Sequence, residues 1–139
     1  MRVRKIYSIS AISFGAFLGG PLGAAYLMAK NFEVLEKHEQ ARRVFKVGVT
    51  FTFALIFVLV LLPIRIIEAV PVFLLPLIFI AITRYLAGKY QKRDVEQYVI
   101  NGGQYESTWK LLGISLLIAL ITLVIGLMIT LILDLFRPI

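Results

Sequence analysis

The chain has 139 residues, 60% of them hydrophobic, and a mean hydropathy of +0.89. A soluble domain of this length cannot cover so much apolar surface, so the composition indicates a membrane protein. The absence of cysteine excludes disulfides and thiolate metal sites, and the single histidine argues against a histidine-based metal site. We therefore predict a protein without a cofactor.

The formal net charge of +7 comes from basic residues that flank the apolar runs. That placement favours contact with anionic lipid headgroups over contact with nucleic acid. Each basic residue near the surface contributes about 1 kcal/mol, which anchors a protein without defining its function. The predicted lipid contacts are Arg42, Arg43, Lys46, Lys89, Lys92 and Arg93.

The first apolar segment, residues 6–28, carries small residues at helical spacing. Gly15, Gly19 and Gly23 recur every four residues, so on a helix they form one stripe. Such a stripe lets membrane helices approach closely. Pro21 follows Gly20 and lacks a backbone donor, so we predict a kink or break at this point. The segment is predicted to serve helix packing or, if it is broken, to line a substrate path.

A polar run at residues 30–46 follows. Glu33 and Lys37 stand four apart in the order that stabilises a helix, and Asn31 is a good N-cap residue. These features predict one helix that begins at Asn31 and continues into the second apolar segment, residues 47–64. The 18 residues of that segment give about 27 Å of helix, enough to span a bilayer.

Two charges, Arg65 and Glu68, separate the second apolar segment from the third, residues 71–86. Pro63 and Pro71 bracket them, which favours an exposed turn between antiparallel helices. The alternative is a buried pair of Arg65 and Glu68 that lines a polar path, since intramembrane charges are commonly functional.

The last apolar segment, residues 111–133, is uncharged and is the clearest membrane span in the chain. Ser115, Ala119 and Gly126 lie on one face of it, and we predict that this face packs on the glycine stripe. The fold class is therefore all-α: a single integral membrane domain, residues 1–139, with four hydrophobic helical segments.

The distribution of basic residues predicts the topology. Three Lys or Arg lie in residues 1–5, five in residues 30–46 and five in residues 84–110. Both polar connections are therefore predicted to be cytoplasmic. A re-entrant first segment would also bring the N-terminal tail to that side. A kinked full span is preferred, because the re-entrant arms would be unequal and irregular backbone at membrane depth is costly. Both models remain open.

The run Phe17-Leu18-Gly19-Gly20-Pro21-Leu22, with Tyr26-Leu27 and Asn31-Phe32 after it, resembles the start of a group of small bacterial inner-membrane proteins of uncharacterised function. The resemblance implies a bacterial inner-membrane location. It implies no activity and no site residue.

Two classes of function are compatible with these patterns. The preferred class is a small membrane protein that acts through helix packing, as a homo-oligomer or with other membrane chains. The alternative is a small transporter or channel that uses the broken first segment, without a proton-coupling carboxylate inside a span. An enzyme is not predicted, because Ser8, Ser10 and Ser13 have no basic partner nearby in the sequence.

Overall fold

The computed structural model describes residues 4–136; residues 1–3 of the basic tail and Arg137 lie outside the described part. Of residues 4–136, 83% are helical, so the predicted all-α class is confirmed. The elements in chain order are β1 (Lys5–Ile6), α1 (Ile9–Val34), α2 (His38–Leu61), α3 (Ile64–Ala69), α4 (Leu74–Tyr90), α5 (Lys92–Ile100), β2 (Gln104–Tyr105) and α6 (Thr108–Leu135).

Helix α1 consists of two helical arms, residues 9–19 and 21–34, that fold back on each other at Gly20. Gly20 has a φ of 63° and a ψ of −153°, which is not helical. Tyr7 and Asn31 share two hydrogen bonds of 2.8 Å although 24 residues separate them. A straight helix would place them about 36 Å apart. We call this pair of arms the α1 hairpin.

The other long helices surround the α1 hairpin, which forms the core. Thirteen residues of α1 are buried, whereas α6 buries Leu111, Ser115 and Ile118 alone. One buried cluster joins Ile12 and Leu27 from the two arms to Ala87 of α4 and Leu111 of α6. The first helix of the chain is thus the centre of the fold.

A short turn separates α1 from α2, so the prediction of one continuous helix capped by Asn31 is wrong. The backbone amides of Leu35 and Lys37 cap α1 by donating to the carbonyls of Asn31 and Phe32, at 3.0 and 2.8 Å. Glu36 takes a positive φ of 61° to allow this turn. Lys37 then pairs with Asp94 of α5 at 2.7 Å instead of with Glu33.

A two-stranded parallel ladder joins the start of the chain to the segment before α6. Lys5 lies opposite Gln104 and Ile6 opposite Tyr105. The amide of Glu106 extends the ladder by donating to the carbonyl of Ile6 at 2.9 Å. The ladder fixes the N-terminal segment beside the first turn of α6.

Three helices, α1, α2 and α6, are long and apolar enough to cross a membrane. Helix α4 has 17 residues and covers most of the third predicted apolar segment. Between α2 and α4, Arg65 and Glu68 are both exposed on the short helix α3. No salt bridge or hydrogen bond joins Arg65 to Glu68 within residues 4–136.

Candidate functional site

The glycines of the predicted stripe lie between the two arms of the hairpin and against α6. A Cβ added at Gly23 would overlap the carbonyl oxygen of Gly15, and one added at Gly15 would overlap the side chain of Leu27. A Cβ at Gly19 would lie 3.2 Å from Ile118. Gly15, Gly19 and Gly23 therefore serve close packing within this chain.

The predicted packing face on α6 meets the hairpin at Ser115 but not at Gly126. Ser115 and Ile118 face Gly15 and Gly19, whereas a Cβ at Gly126 would meet Ile56 of α2 at 4.0 Å and nothing on the hairpin. Ala119 is half-buried. Among the residues that the structure describes, the Ser115 hydroxyl is the buried side-chain polar atom without a hydrogen-bond partner.

A polar network closes the base of the hairpin, at the end opposite Gly20. The Asn31 side chain accepts from the Tyr7 amide and donates to the Tyr7 carbonyl, both at 2.8 Å. It also donates to Gln91, at 3.4 Å, whose side chain donates to the Met28 carbonyl at 2.8 Å. Asn31 and Gln91 are both fully buried. Because every one of these groups is paired, the network joins both arms to the end of α4 without an unsatisfied polar group.

Replacing Asn31 by leucine is expected to destabilise the protein by about 3 kcal/mol. The change leaves the buried amide and carbonyl of Tyr7 without partners, and each orphaned group costs about 1–3 kcal/mol. Gln40→Leu, at an exposed position on α2, is the matched control and is expected to change little. Thermal unfolding in mild detergent measures both variants. Equal melting temperatures would show that the network contributes nothing to stability.

Comparison with protein-family models, curated proteins and solved structures found no match. The residues of the site are therefore the evidence for its function.

A polar cleft of about 630 Å³ opens beside the hairpin base, and we call it the basal cleft. Its ionisable and phenolic lining groups are Arg4, Lys5, Tyr7, Tyr26, Lys30, Glu33, His38, Glu106 and Lys110. Salt bridges of 3.2 Å join Lys30 to Glu33 and Lys110 to Glu106. No salt bridge of the described residues 4–136 involves Arg4 or Lys5, so the cleft carries a net positive charge.

Tyr7 lies at the inner wall of the basal cleft with only 5% of its surface exposed. Burial, together with the negative charge of Glu106, raises the pKa of Tyr7 to about 12. The hydroxyl therefore keeps its proton at neutral pH. It makes no hydrogen bond with any residue between 4 and 136, so its proton is available to a molecule in the cleft.

An apolar groove of about 360 Å³ lies between α2 and α6, and we call it the α2/α6 groove. Its walls include Phe45 and Phe53 of α2 and Ile121 of α6. Tyr26 and Ile114 line both the groove and the basal cleft. The two spaces are therefore neighbours, one polar and the other apolar.

The six basic residues predicted to contact lipid are exposed at the ends of the helices. Arg42 and Lys46 line a shallow pocket beside Lys30, and Lys92 lines a second pocket with Arg84. Lys89 lies 5.4 Å from the ring centre of Tyr90. None of the six lines the basal cleft.

Sequence reasoning missed the groups that make up the hairpin base and the cleft. Asn31 and Gln91 stand in polar runs, where the local sequence does not show which polar side chains are buried. In the sequence, Arg4 and Lys5 belong to the basic tail, which bears on the topology and does not point to a site. One signal is present: Asn31 stands two residues beyond a long apolar run, with Lys30 between them, where a polar side chain needs an internal partner.

Proposed function

We propose that this chain is a small integral membrane protein that acts through helix packing as a subunit of a membrane assembly, without catalytic chemistry. We propose a bacterial inner-membrane location, with residues 30–46 and 84–110 in the cytoplasm. The spanning length of α2 and α6 and the apolar character of α1, α2 and α6 support the membrane setting. The resemblance of residues 17–32 to small bacterial inner-membrane proteins supports the location.

In this proposal the α1 hairpin is re-entrant: it enters from the cytoplasmic side and returns. Its arms of 11 and 14 residues reach about 16 and 21 Å, short of the roughly 30 Å hydrocarbon core. The N-terminal tail then joins the cytoplasmic side, which places thirteen of the fifteen Lys and Arg there. Helices α2, α4 and α6 cross the membrane. The residues on either side of Gly20 lie beside the surrounding helices, Gly19 at Ile118 and Pro21 at Gly48, which supports the reversal at membrane depth.

The observation that carries the proposal is that the hairpin covers only one end of the helices around it. Its turn lies beside Gly48 of α2 and Ile118 of α6. Beyond these points α2 continues for about 20 Å and α6 for about 26 Å. No residue of α6 after Ile118 is buried, and none of α4 before Thr83 is buried.

A cavity of about 810 Å³ lies in this uncovered region, and we call it the far cavity. Its walls are mainly apolar side chains of α2 and α3, with Gly126, Thr130 and, at the end of α6, Asp134. The Thr130 hydroxyl is already bonded to the Gly126 carbonyl at 2.9 Å. The far cavity therefore suits an apolar helix of a second chain. Packing against small residues is what associates helices in lipid.

Replacing Gly126 by leucine is expected to weaken the assembly at least tenfold without unfolding the chain. The new side chain fills the far cavity, and the first added carbon meets only Ile56, at 4.0 Å. Gly113→Leu is the matched control, because it lies on the same helix with open space around it. Both changes gain similar helix propensity, about 1 kcal/mol. Mass measurement in mild detergent reports the size of each complex.

We expect Gly113→Leu to keep the wild-type complex and Gly126→Leu to lose it. A wild-type chain that is monomeric both in mild detergent and after cross-linking in its membrane would overturn the proposal.

Transport is the second candidate, since the broken helix leaves open space around Gly20. Discontinuous helices present backbone groups to substrates in transporters. Here, however, the Tyr7, Asn31 and Gln91 network seals the hairpin on the opposite side. A path along the hairpin would have to break buried hydrogen bonds, so we rank transport below packing.

A further inference from the structure

We propose that the basal cleft and the α2/α6 groove together bind one anionic phospholipid, with its phosphate in the cleft and one acyl chain in the groove. The inference needs only that the chain is embedded in a membrane. It holds whether or not the far cavity receives a partner, because the two regions share no lining residue.

The charges of the basal cleft favour a phosphate group. Lys30 and Lys110 neutralise the two carboxylates of the lining, Glu33 and Glu106. Arg4 and Lys5 then contribute two further positive charges with no acidic partner among the described residues. Arginine forms paired hydrogen bonds with phosphate, and lysine adds a point charge. A neutral or cationic headgroup would leave this excess charge uncompensated.

The Tyr7 hydroxyl adds a hydrogen-bond donor at the inner wall. The ring is almost wholly enclosed, and its position is fixed by the two backbone hydrogen bonds to Asn31. Its proton has no acceptor within the described chain. A phosphate oxygen in the cleft can accept this proton.

The groove continues from the cleft in the direction that an acyl chain requires. On α6 its wall runs from Ile114 to Ile125, about 16 Å along the helix. Phe45 and Phe53 form the opposite wall on α2. Thr52 and Tyr26 carry the hydroxyl groups of the lining. Tyr26 also lines the polar cleft, and the Thr52 hydroxyl is already bonded to the Gly48 carbonyl at 2.7 Å. The groove therefore offers apolar contact and demands no hydrogen bond, as a hydrocarbon chain needs.

The test measures which lipid remains on the purified protein. Native mass spectrometry in mild detergent, with added phosphatidylglycerol or phosphatidylcholine, counts bound lipids and gives their affinities. We expect one phosphatidylglycerol to bind at least tenfold more tightly than phosphatidylcholine. The double variant Arg4→Gln/Lys5→Gln should weaken phosphatidylglycerol binding about 30-fold, the factor expected for two cations near a headgroup. Arg65→Gln/Arg84→Gln removes the same charge at two exposed positions outside the cleft and should change little.

A second pair of variants tests the groove. Ile121→Trp fills it and should abolish the bound lipid, whereas Leu123→Trp, on an exposed part of α6 outside the groove, should retain it. Glycerol phosphate distinguishes a lipid from a free anion. Equal affinity for glycerol phosphate and phosphatidylglycerol would show that the groove holds no acyl chain.

Three other outcomes would overturn the proposal. They are equal binding of the two lipids, unchanged binding in Arg4→Gln/Lys5→Gln, and a cross-link between two copies through a cysteine at position 121. Far-ultraviolet circular dichroism confirms that each variant is folded. Loss of the assembly in Gly126→Leu tests the far cavity alone, so the two proposals fail separately.

Discussion

Replacing Gly23 by alanine is expected to destabilise this protein by about 3 kcal/mol, at the upper end of what overpacking costs. The added methyl group would overlap the carbonyl oxygen of Gly15 on the opposite arm. Both sides of that contact are backbone, so neither can rotate away. The arms must separate instead, and this would also disturb the contacts of Gly19 with α6. Unfolding by heat or by increasing fractions of a harsh detergent measures the loss.

The control for this change is Gly88→Ala on α4. A Cβ at Gly88 meets nothing within 4 Å, and alanine favours a helix over glycine by about 1 kcal/mol. We therefore expect Gly88→Ala to be neutral or stabilising. If Gly23→Ala were equally well tolerated, the two arms would not pack as closely as described.

The second prediction concerns the side of the membrane on which each segment lies, measured by the labelling of single cysteines. Because the native chain has no cysteine, single cysteines can be placed at Lys5, Gln40 and Glu68. All three positions are exposed. A re-entrant hairpin predicts that cysteines at 5 and 40 react with an impermeant thiol reagent only from the cytoplasmic side. The cysteine at 68 should react only from the opposite side.

The expected difference in labelling is all-or-none, because a charged reagent does not cross the intact bilayer. Permeabilised cells serve as the control, in which all three cysteines should react. Cysteines at 5 and 40 that react from opposite sides would mean that residues 9–34 cross the membrane once, and the re-entrant model would be wrong.

The sequence predicts the helices well because long apolar runs and glycine spacing leave strong local patterns. It predicts a break beside Gly20 and Pro21 but not whether the chain kinks or turns back there. Gly-Gly-Pro is compatible with a kink as well as with a reversal, and the choice depends on the positive φ of Gly20. The arm before Gly20 lies against Ser115 and Ile118 through Gly15 and Gly19, about a hundred residues further along the chain. Such distant contacts leave no local pattern.

The turn at residues 35–37 escapes prediction for a related reason. The spacing of Glu33 and Lys37 favours a continuous helix, and nothing local indicates the positive φ of Glu36. The basal cleft is likewise assembled from distant parts of the chain: residues 4–7, the end of α1, the start of α2 and the start of α6. No motif precedes such a site, because its residues meet only through the fold.

The order in which the ribosome delivers the helices has a consequence for the hairpin. Residues 9–34 are synthesised first, yet Gln91 and Ile118, which complete their surroundings, emerge much later. At roughly 5–20 residues per second the interval lasts several seconds. During that time the glycine faces of the nascent segment have no native neighbour. We therefore expect the hairpin to reach its final packing only after α6 has entered the membrane.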